Sequence, residues 1–205
     1  MLEALIDFVF PARCIVCDHR PKQLCGECQL EPRITAVPGF SFPTFTALEL
    51  EGAAEKVIAG YKDQQLTALE KPLAMVAAKL FLHRDLGSVD AVVTPARNSR
   101  NYRKRGFDPA QNLAKRALRI AEIPIPVLPL ANSRSRHDQR SLSKAQRAEN
   151  VHETMKLKVT GLSKVLLFDD VMTTGATIRE LARACEQAGV AVAFCCVLAQ
   201  RNSVK

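Results

Sequence analysis

The segment 165–177 predicts a strand, a loop and a helix start in direct succession. Its apolar residues up to Phe168 are followed by two adjacent carboxylates, Asp169 and Asp170, and then by a stretch rich in Thr and Gly. From Ile178 onward the apolar residues recur at helical spacing. This order puts a helix N-terminus directly after a buried strand. It therefore predicts an α/β fold with a ligand at the carboxyl end of a parallel sheet.

The loop in this segment has the chemistry of a phosphate site. Free amides and the positive end of the helix dipole attract anions at a helix N-terminus, and glycine lets the backbone turn closely around a phosphate. The two carboxylates are acceptors only, so they suit a pair of hydroxyl groups. A phosphate cradle beside acceptors for a diol predicts a ribose 5-phosphate ligand. The candidate binding residues are Asp169, Asp170, Thr173, Thr174, Gly175, Ala176 and Thr177.

The same 13 residues resemble the motif that binds 5-phosphoribosyl 1-diphosphate (PRPP) in type I phosphoribosyltransferases, and they match it at each defining position. In that family the acidic pair holds the ribose 2′- and 3′-hydroxyls, and the Thr/Gly loop holds the 5-phosphate. The resemblance implies those roles for Asp169 and Asp170 and for residues 173–177. The segment is neither a Walker A loop nor G-x-G-x-x-G. An ordinary strand-to-helix turn is the structural alternative, which the acidic pair before Thr-Thr-Gly disfavours.

The cysteine spacing indicates a metal site near the start of the chain. Cys14, Cys17, Cys25 and Cys28 form the pattern C-x2-C-x7-C-x2-C, and two such pairs complete the four-sulfur geometry of structural Zn²⁺. A disulfide framework and an iron–sulfur cluster are the alternatives. The interval of seven residues leaves no room for a recognition helix, so a structural role is favoured over nucleic-acid reading. The other three cysteines have core positions.

Composition limits the class of protein. The 205 residues are 47% hydrophobic and 24% charged, enough for one sizeable domain with a small appendage. No apolar run approaches the roughly 18–20 residues of a membrane span, and the segment 1–11 predicts a short amphipathic helix rather than a signal peptide. The sequence thus predicts a cytoplasmic protein without a membrane span.

Basic residues outnumber acidic ones, 29 to 21, and the net charge of +8 favours polyanionic partners such as nucleic acid or a polyphosphate. Much of the excess lies in two groups, both predicted as loops that face an anion. These groups are Arg97, Arg100, Arg103, Lys104 and Arg105, and Arg134, Arg136, Arg140, Lys144 and Arg147.

The predicted organisation is a four-cysteine zinc-binding module (1–32), a linker (33–43) and a phosphoribosyltransferase-like domain (44–205). The predicted strands are 44–50, 89–94, 126–130, 154–159, 164–168 and 190–198, and the predicted helices are 52–61, 68–83, 109–120 and 176–187. Alternating strands and helices predict a parallel sheet flanked by helices, with right-handed crossovers. Residues 131–150 are polar and basic, and we expect them to close over a bound diphosphate.

Nearly the whole chain resembles the ComF family of phosphoribosyltransferase-like proteins. The resemblance rests on Phe-Pro-x-x-Cys-x-x-Cys, the second cysteine pair, Tyr61-Lys62, residues 103–107, Asp138-Gln139 with Leu142, Arg147 and Asn150, and the PRPP motif. It implies a link to competence, which means DNA uptake and natural transformation.

Two positions refine this resemblance. Asp108-Pro109 stands where many members have Asn-Gln; Asp and Asn cap a helix about equally well, so the fold is expected to persist. Thr173 stands where hypoxanthine phosphoribosyltransferases carry an aspartate that acts on the base, and threonine is no general base near neutral pH. This argues against a hypoxanthine or guanine salvage enzyme of that type.

These observations support three functional hypotheses. An enzyme would bind Mg²⁺ with PRPP and transfer phosphoribosyl to an unknown nitrogen acceptor with diphosphate release, and Arg97, Arg105 and Arg147 would stabilise the leaving group. A non-catalytic protein would sense PRPP or a nucleotide, or bind single-stranded DNA within a DNA-uptake complex. A zinc-dependent nucleic-acid module is the third, and the acidic pair disfavours it. The sequence assigns neither an acceptor nor an oligomeric state.

Overall fold

The computed structural model describes residues 12–20, 22–132 and 155–201. Four predictions fall wholly or partly outside these ranges. They are the N-terminal helix over 1–11, the second arginine-rich group with Arg147, residues 133–150 of the segment expected to close over a diphosphate, and the first residue of the strand 154–159. Within the described ranges, none of the helices combines the length and the apolar character that crossing a membrane requires.

The strands of the described residues form one large sheet and one small sheet. They are β1 (Thr35–Ala36), β2 (Thr44–Glu49), β3 (Ala91–Thr94), β4 (Val127–Pro129), β5 (Ala131–Asn132), β6 (Met155–Lys156), β7 (Lys164–Met172) and β8 (Ala191–Gln200). The large sheet has the order β1-β2-β8-β7-β3-β4, and β5 pairs with β6. Only β1–β2 is antiparallel within the large sheet. The predicted α/β fold with a mostly parallel sheet is confirmed.

Five α-helices connect these strands in the described part of the chain. They are α1 (Gly52–Asp63), α2 (Glu70–Leu82), α3 (Ser99–Arg105), α4 (Pro109–Ile120) and α5 (Ala176–Gln187), with short 3-10 helices at Gly26–Cys28 and Thr67–Leu69. The helix α4 begins where its sequence signals indicate, because Asp108 caps it by accepting the amide of Gln111 at 3.1 Å and Pro109 occupies the first turn. Both α4 and α5 have the bounds that the sequence predicts.

Helices cover both faces of the large sheet. Because side chains alternate along a strand, Leu166 and Phe168 of β7 pack into a core with α1, α2 and α4. Val165 and Leu167 point the other way, into a second core with α5. All four of these side chains are fully buried. The two cores make β7 the central strand of the fold, and its carboxyl end carries the two aspartates.

The structure differs from the sequence-based prediction at three places. The strand β7 continues to Met172 instead of ending at Phe168, because residues 169–172 still pair with β8. The aspartates are therefore part of the strand. Residues 99–105, predicted as loop, form α3, which buries none of its residues. Within the predicted linker, Thr35 and Ala36 form β1. The domain bounds 1–32, 33–43 and 44–205 stay predictions.

Candidate functional site

A cavity of about 210 Å³ lies at the carboxyl ends of β3 and β7. These strands are neighbours, yet β3 leads to β4 on one side while β7 leads to β8 on the other. Such a reversal of strand order opens the crevice in which α/β proteins bind ligands. The polar lining of the cavity includes Lys62, Asn98, Arg105, Asp108, Asp169, Asp170 and Thr177. The acidic pair and the last threonine of the sequence-predicted motif thus meet in one crevice.

Two buried carboxylates form the most polar part of this cavity. Asp169 and Asp170 are each only 7% exposed, and the amide of Asp170 donates a hydrogen bond to Oδ1 of Asp169 at 2.8 Å. Burial, and then the adjacent charge of Asp170, raise the pKa of Asp169 well above its ordinary value, although Lys62 lowers it. The pair consists of desolvated acceptors, which a ligand with hydroxyl donors would satisfy.

Lys62 is the cation that faces this acidic pair. Its Nζ lies 3.0 Å from Oδ1 of Asp170, and both side chains are largely buried, at 21% and 10% exposure. The neighbouring Tyr61 fixes this end of α1, because its hydroxyl donates to Oε2 of Glu70 at 3.2 Å. Arg116 of α4 donates to the other oxygen of Glu70 at 2.9 Å. Lys62 is therefore held against β7 by contacts among three helices.

Asp108 adds a third carboxylate to the cavity lining. Burial raises its pKa above the ordinary value, and the charge of Asp170 adds to this, while the hydrogen bond from Gln111 and the cations Arg97 and Lys62 oppose the shift. Asp108 therefore has two roles, as the cap of α4 and as a charged group facing the acidic pair.

The Thr/Gly segment forms the turn between β7 and α5. Thr173 and Thr174 are exposed, Ala176 and Thr177 are half-buried, and Thr177 also lines the cavity. Gly175 precedes the helix with φ of +75°, a left-handed conformation that favours glycine. A Cβ at Gly175 would also approach Cζ of Phe40 to 2.8 Å. The turn therefore places the start of α5 next to the acidic pair, as the motif predicts.

The three predicted arginines do not share one location relative to the cavity. Arg105 lines the cavity, and its Nη2 lies 2.8 Å from Oδ1 of Asp63. Arg97 is exposed, and its guanidinium stacks over the ring of Tyr102, 4.1 Å from the centroid. Tyr102 itself lines the cavity, so Arg97 lies at the margin. Arg147 lies outside the described residues.

The four N-terminal cysteines converge on one point. Their Sγ atoms all lie within 4.8 Å of one another, with 3.6 Å between those of Cys17 and Cys25. Tight turns produce this arrangement: the amide of Cys14 donates to His19 at 2.8 Å and that of Cys28 to Cys25 at 3.2 Å. Each of the seven cysteines lies in the described ranges and has a free thiol. The cluster can bind a metal ion.

The backbone around Cys14 favours its thiolate form. Burial alone would raise the pKa of Cys14, but the amides of Cys25, Cys17 and Val16 outweigh it and lower the pKa to about 6. Since thiolates rather than thiols are metal ligands, this local hydrogen bonding fits the donor set that the spacing predicts. The remaining cysteines, at 185, 195 and 196, are buried in the core as expected.

Two charged residues of the cavity lining, Lys62 and Asp108, were not identified as site residues from the sequence. Lys62 contributed only to the family resemblance, and its contact with Asp170 joins residues 108 positions apart. Asp108 was identified as a helix cap, and nothing in its neighbours reveals that it faces β7. The pattern Tyr61-Lys62 was the sequence signal that could have identified Lys62, because the apolar residues of α1 determine which side of the helix is buried.

The fold and the site define an α/β protein of the phosphoribosyltransferase type with an N-terminal four-cysteine cluster. Residues 64–205 match the family described as the phosphoribosyl transferase domain, and the chain belongs to that family. No curated protein matches the chain.

Several solved structures are similar to the chain. One is orotate phosphoribosyltransferase from Aeropyrum pernix, with a TM-score of 0.42 and 22% identity, covering 69% of this chain and 66% of that one. Another is adenine phosphoribosyltransferase from Leishmania tarentolae, with a TM-score of 0.43 and 10% identity, covering 77% and 91% respectively. A hypothetical protein from Neisseria gonorrhoeae with bound ppGpp has a TM-score of 0.39 and 14% identity, covering 66% and 70%.

Proposed function

We propose that the protein binds PRPP with Mg²⁺ at the cavity between β3 and β7 and transfers the phosphoribosyl group to a nitrogen acceptor, releasing diphosphate. The proposal includes the link to DNA uptake that the ComF resemblance implies. One observation carries it: the buried pair Asp169 and Asp170 lies at the same crevice as the glycine turn before α5. Acceptors for a diol thus adjoin donors for a phosphate.

In this reaction the acceptor nitrogen forms a bond to C1 of the ribose while the bond from C1 to diphosphate breaks. The bonding electrons leave with the diphosphate, and the acceptor gives up its N–H proton to a base or to water. Negative charge therefore accumulates on the leaving group, where fixed cations stabilise it. Arg105 lines the cavity and Arg97 lies at its margin. We assign this role to both, together with Arg147.

The acidic pair holds the other end of the substrate in this proposal. Asp169 and Asp170 accept hydrogen bonds from the 2′- and 3′-hydroxyls, and residues 173–177 hold the 5-phosphate. Mg²⁺ enters with the diphosphate, because protein-bound Mg²⁺ is commonly held by one or two carboxylates together with substrate phosphates. Lys62 balances part of the negative charge through Asp170. The bound substrate then supplies the hydrogen-bond donors that the buried carboxylates need.

Structural Zn²⁺ is our proposed occupant of the four-cysteine cluster. Tetrahedral zinc–thiolate bonds of about 2.3 Å separate the sulfurs by about 3.8 Å, and Sγ of Cys17 and Cys25 are 3.6 Å apart. Four protein ligands leave no open position for a substrate, so the metal serves the fold. Free thiolates of this kind persist in a reducing compartment, and we therefore place the protein in the cytoplasm.

A non-catalytic binding protein is the second candidate, and the surface of α3 favours it. Arg100, Arg103 and Lys104 are all exposed on this helix, next to the cavity residues Asn101 and Tyr102. Exposed cations next to a nucleotide-type site suit the backbone of single-stranded DNA. In this case the protein would sense PRPP or a nucleotide, or bind DNA as part of an uptake complex.

Calorimetry with Mg²⁺–PRPP, followed by a diphosphate-release assay against a panel of nitrogen bases and amines, tests the proposal. Binding with acceptor-dependent release supports the enzyme. Binding without release from any acceptor supports the sensor. Failure to bind PRPP or ribose 5-phosphate rules out both functions that use this ligand.

The variant Arg147→Ala separates the two candidates further. If Arg147 stabilises the leaving group, its loss weakens PRPP far more than ribose 5-phosphate, which has no diphosphate. An equal loss of affinity for the two ligands would mean that Arg147 stabilises the fold or attracts phosphate groups in general. A parallel fall in single-stranded DNA binding, with affinity steeply dependent on salt, would favour the binding protein. The charge-matched control is Arg119→Ala, at the exposed end of α4.

A further inference from the structure

Two residues that do not line the cavity, Arg179 and Phe40, contact the turn between β7 and α5. Arg179, in the first turn of α5, donates from Nη1 to the backbone carbonyl of Thr174 at 2.9 Å. Its guanidinium also stacks on the ring of Phe40, 5.0 Å from the centroid. The same ring lies against Gly175, where an added Cβ would come within 2.8 Å of Cζ and 3.2 Å of Nη1 of Arg179.

These contacts fix the direction of one peptide group. In a planar trans peptide the carbonyl and the following N–H point to opposite sides. When Arg179 holds the carbonyl of Thr174, the amide of Gly175 must point to the other side of the turn. Gly175 needs such a restraint, since glycine has the greatest conformational freedom of any residue and here adopts φ of +75°.

The same hydrogen bond also keeps the carbonyl of Thr174 from facing a bound anion. A backbone carbonyl that faces an anion repels it, whereas the free amides at the start of a helix attract it. Arg179 holds the carbonyl of Thr174 with a charge-assisted hydrogen bond. Because both Arg179 and Thr174 are exposed, the peptide would rotate more freely without this contact.

Phe40 comes from a distant part of the chain. It belongs to the hairpin turn between β1 and β2, is half-buried, and packs against the core on the α5 side of the sheet. The ring covers Gly175 on one side and supports the Arg179 guanidinium on its face. The segment 33–43, predicted as a linker, therefore contributes a side chain that contacts the motif itself.

We propose that Arg179 and Phe40 are positioning residues which orient the Gly175 amide toward the bound phosphate. This inference rests on the proposed function only in taking the Thr/Gly turn as the phosphate site. Neither residue touches the ligand. Arg179 fixes the Thr174–Gly175 peptide, and Phe40 keeps Arg179 and Gly175 in place.

The test follows the backbone amide of Gly175 by NMR in the full chain during titration with inorganic phosphate and, separately, with ribose 5-phosphate. In the wild type both probes move this amide proton downfield. In Arg179→Met we expect the shift to disappear and the affinity for either probe to fall about tenfold, as for one charge-assisted hydrogen bond. Phe40→Ala should cause a smaller loss of affinity and of the chemical-shift response. Arg179→Lys should retain part of the affinity that Arg179→Met loses.

Two matched controls separate positioning from stability. Arg84 stacks on Phe45 at 4.9 Å, much as Arg179 stacks on Phe40, but on the opposite face of the sheet. Arg84→Met therefore removes a similar arginine–aromatic contact without touching the turn. Phe42 packs beside Phe40 at 5.7 Å in the same hairpin, so Phe42→Ala tests general loosening of that hairpin. Neither control should alter the response of Gly175.

The outcomes distinguish this inference from the proposed function. If inorganic phosphate moves Gly175 in the wild type and not in Arg179→Met, the inference holds even where PRPP fails to bind. It is overturned if Arg179→Met and Phe40→Ala respond like the wild type, or if they lose no more affinity than the two controls. It is equally overturned if phosphate leaves Gly175 unmoved in the wild type.

Discussion

The four-cysteine cluster and the cavity at β3 and β7 are assembled over different distances along the chain. All four cysteines of the cluster lie between Cys14 and Cys28, and backbone turns inside that stretch bring their sulfurs together. The cavity depends on long-range contacts, such as the ion pair of Lys62 with Asp170 across 108 positions. Spacing alone can therefore predict the first site, whereas the second requires the sheet to form.

The two regions also differ in how they stabilise charge. Local amides lower the pKa of Cys14 to about 6, despite its burial. In the cavity, burial and the charge of Asp170 raise the pKa of Asp169, and the charge of Lys62 opposes this shift. Backbone hydrogen bonds inside the cluster thus favour one thiolate, at Cys14, whereas contacts with Cys17 and Cys25 raise the pKa of Cys28. Burial in the cavity makes the ionised form of Asp169 unfavourable, and a ligand that brings hydrogen-bond donors would stabilise that form.

The largest effect is expected in the cluster. We predict about one Zn²⁺ per chain, and Cys25→Ser should release most of it. Structural zinc contributes on the order of 10–16 kcal/mol to the folding of small zinc domains, so this variant should expose the segment 12–32 to proteolysis. Elemental analysis and limited proteolysis measure both effects, and His19→Ala, which changes no thiolate ligand, is the control. Metal-free wild-type protein would refute the zinc assignment.

The same variant tests whether the two regions are separate. Ile15 of the cysteine segment packs on Gly60 of α1, leaving no room for a Cβ there, and Lys56 of α1 donates to the carbonyl of Val16 at 3.2 Å. However, α1 is also held by its buried Val57, Ile58 and Tyr61. Affinity for ribose 5-phosphate should therefore fall much less than the metal content. A complete loss of ligand binding would mean that the cysteine segment determines the position of Lys62.

The next largest effect is expected for Asp169→Asn combined with Asp170→Asn, which should abolish PRPP binding and leave the fold intact. Hydrogen bonds to a charged acceptor are worth about 1.5–3 kcal/mol each, and two are lost. The amides remain compatible with burial, since burial already disfavours the charged form of Asp169. Calorimetry with circular dichroism checks this. Asp85→Asn, an exposed carboxylate beyond α2, is the control; unchanged affinity in the double variant would make the motif vestigial.

Sequence reasoning predicted the elements whose signals are local. The bounds of α4 follow from the cap Asp108 and from Pro109, and the start of α5 follows from the Thr/Gly turn. It failed where tertiary contacts decide. β7 extends past Phe168 because its backbone pairs with β8 through Met172, despite the polar side chains. α3 has no buried face to produce a periodic pattern; its sequence signals are the cap Asn98 and the terminating Gly106.

The same distinction explains how much of the site could be predicted. The motif residues were predicted because the acidic pair, the Thr/Gly loop and the helix start form one continuous stretch, which the family resemblance also covers. The side chains of Lys62, Phe40 and Arg179 contact that stretch. The pattern Tyr61-Lys62 was a local signal for the first of them, and the neighbours of Phe40 and Arg179 gave none. Arg105 was predicted from charge alone, and the structure adds its partner, Asp63, at 2.8 Å.

A smaller effect, visible mainly in pH dependence, is expected for Lys62→Met. Removing this cation raises the pKa of Asp169 further, because Lys62 is the charge that lowers it. Ligand binding needs the ionised carboxylate, so the midpoint at which affinity is lost on acidification should move upward. Stability of the free protein has the opposite trend: an aspartate with a raised pKa stabilises the fold as pH falls through that pKa.

Calorimetry and thermal denaturation of Lys62→Met between about pH 5 and about pH 8 measure these two trends. Lys71→Met, an exposed lysine on α2, is the charge-matched control and should keep the wild-type midpoint. An unshifted midpoint in Lys62→Met would show that the long-range ion pair does not set the ionisation of the acidic pair. The cavity would then not depend on distant contacts in the way that distinguishes it from the cysteine cluster.

The smallest effect is expected at Asp108, which combines a local role with a long-range one. Asp108→Asn preserves the cap of α4, since Asn and Asp cap about equally well, but removes a carboxylate whose pKa is raised by burial and by Asp170. The wild type loses stability relative to this variant as pH rises through the raised pKa, and the difference vanishes under acid conditions where Asp108 is protonated. Asp108→Ala, by contrast, loses the cap and should be about 1 kcal/mol less stable than Asp108→Asn at every pH, because neither variant titrates at this position. Thermal denaturation of both variants over the same pH range separates the roles. A constant difference between wild type and Asp108→Asn at all pH values would reduce Asp108 to a helix cap, and its position opposite the acidic pair would then have no electrostatic consequence.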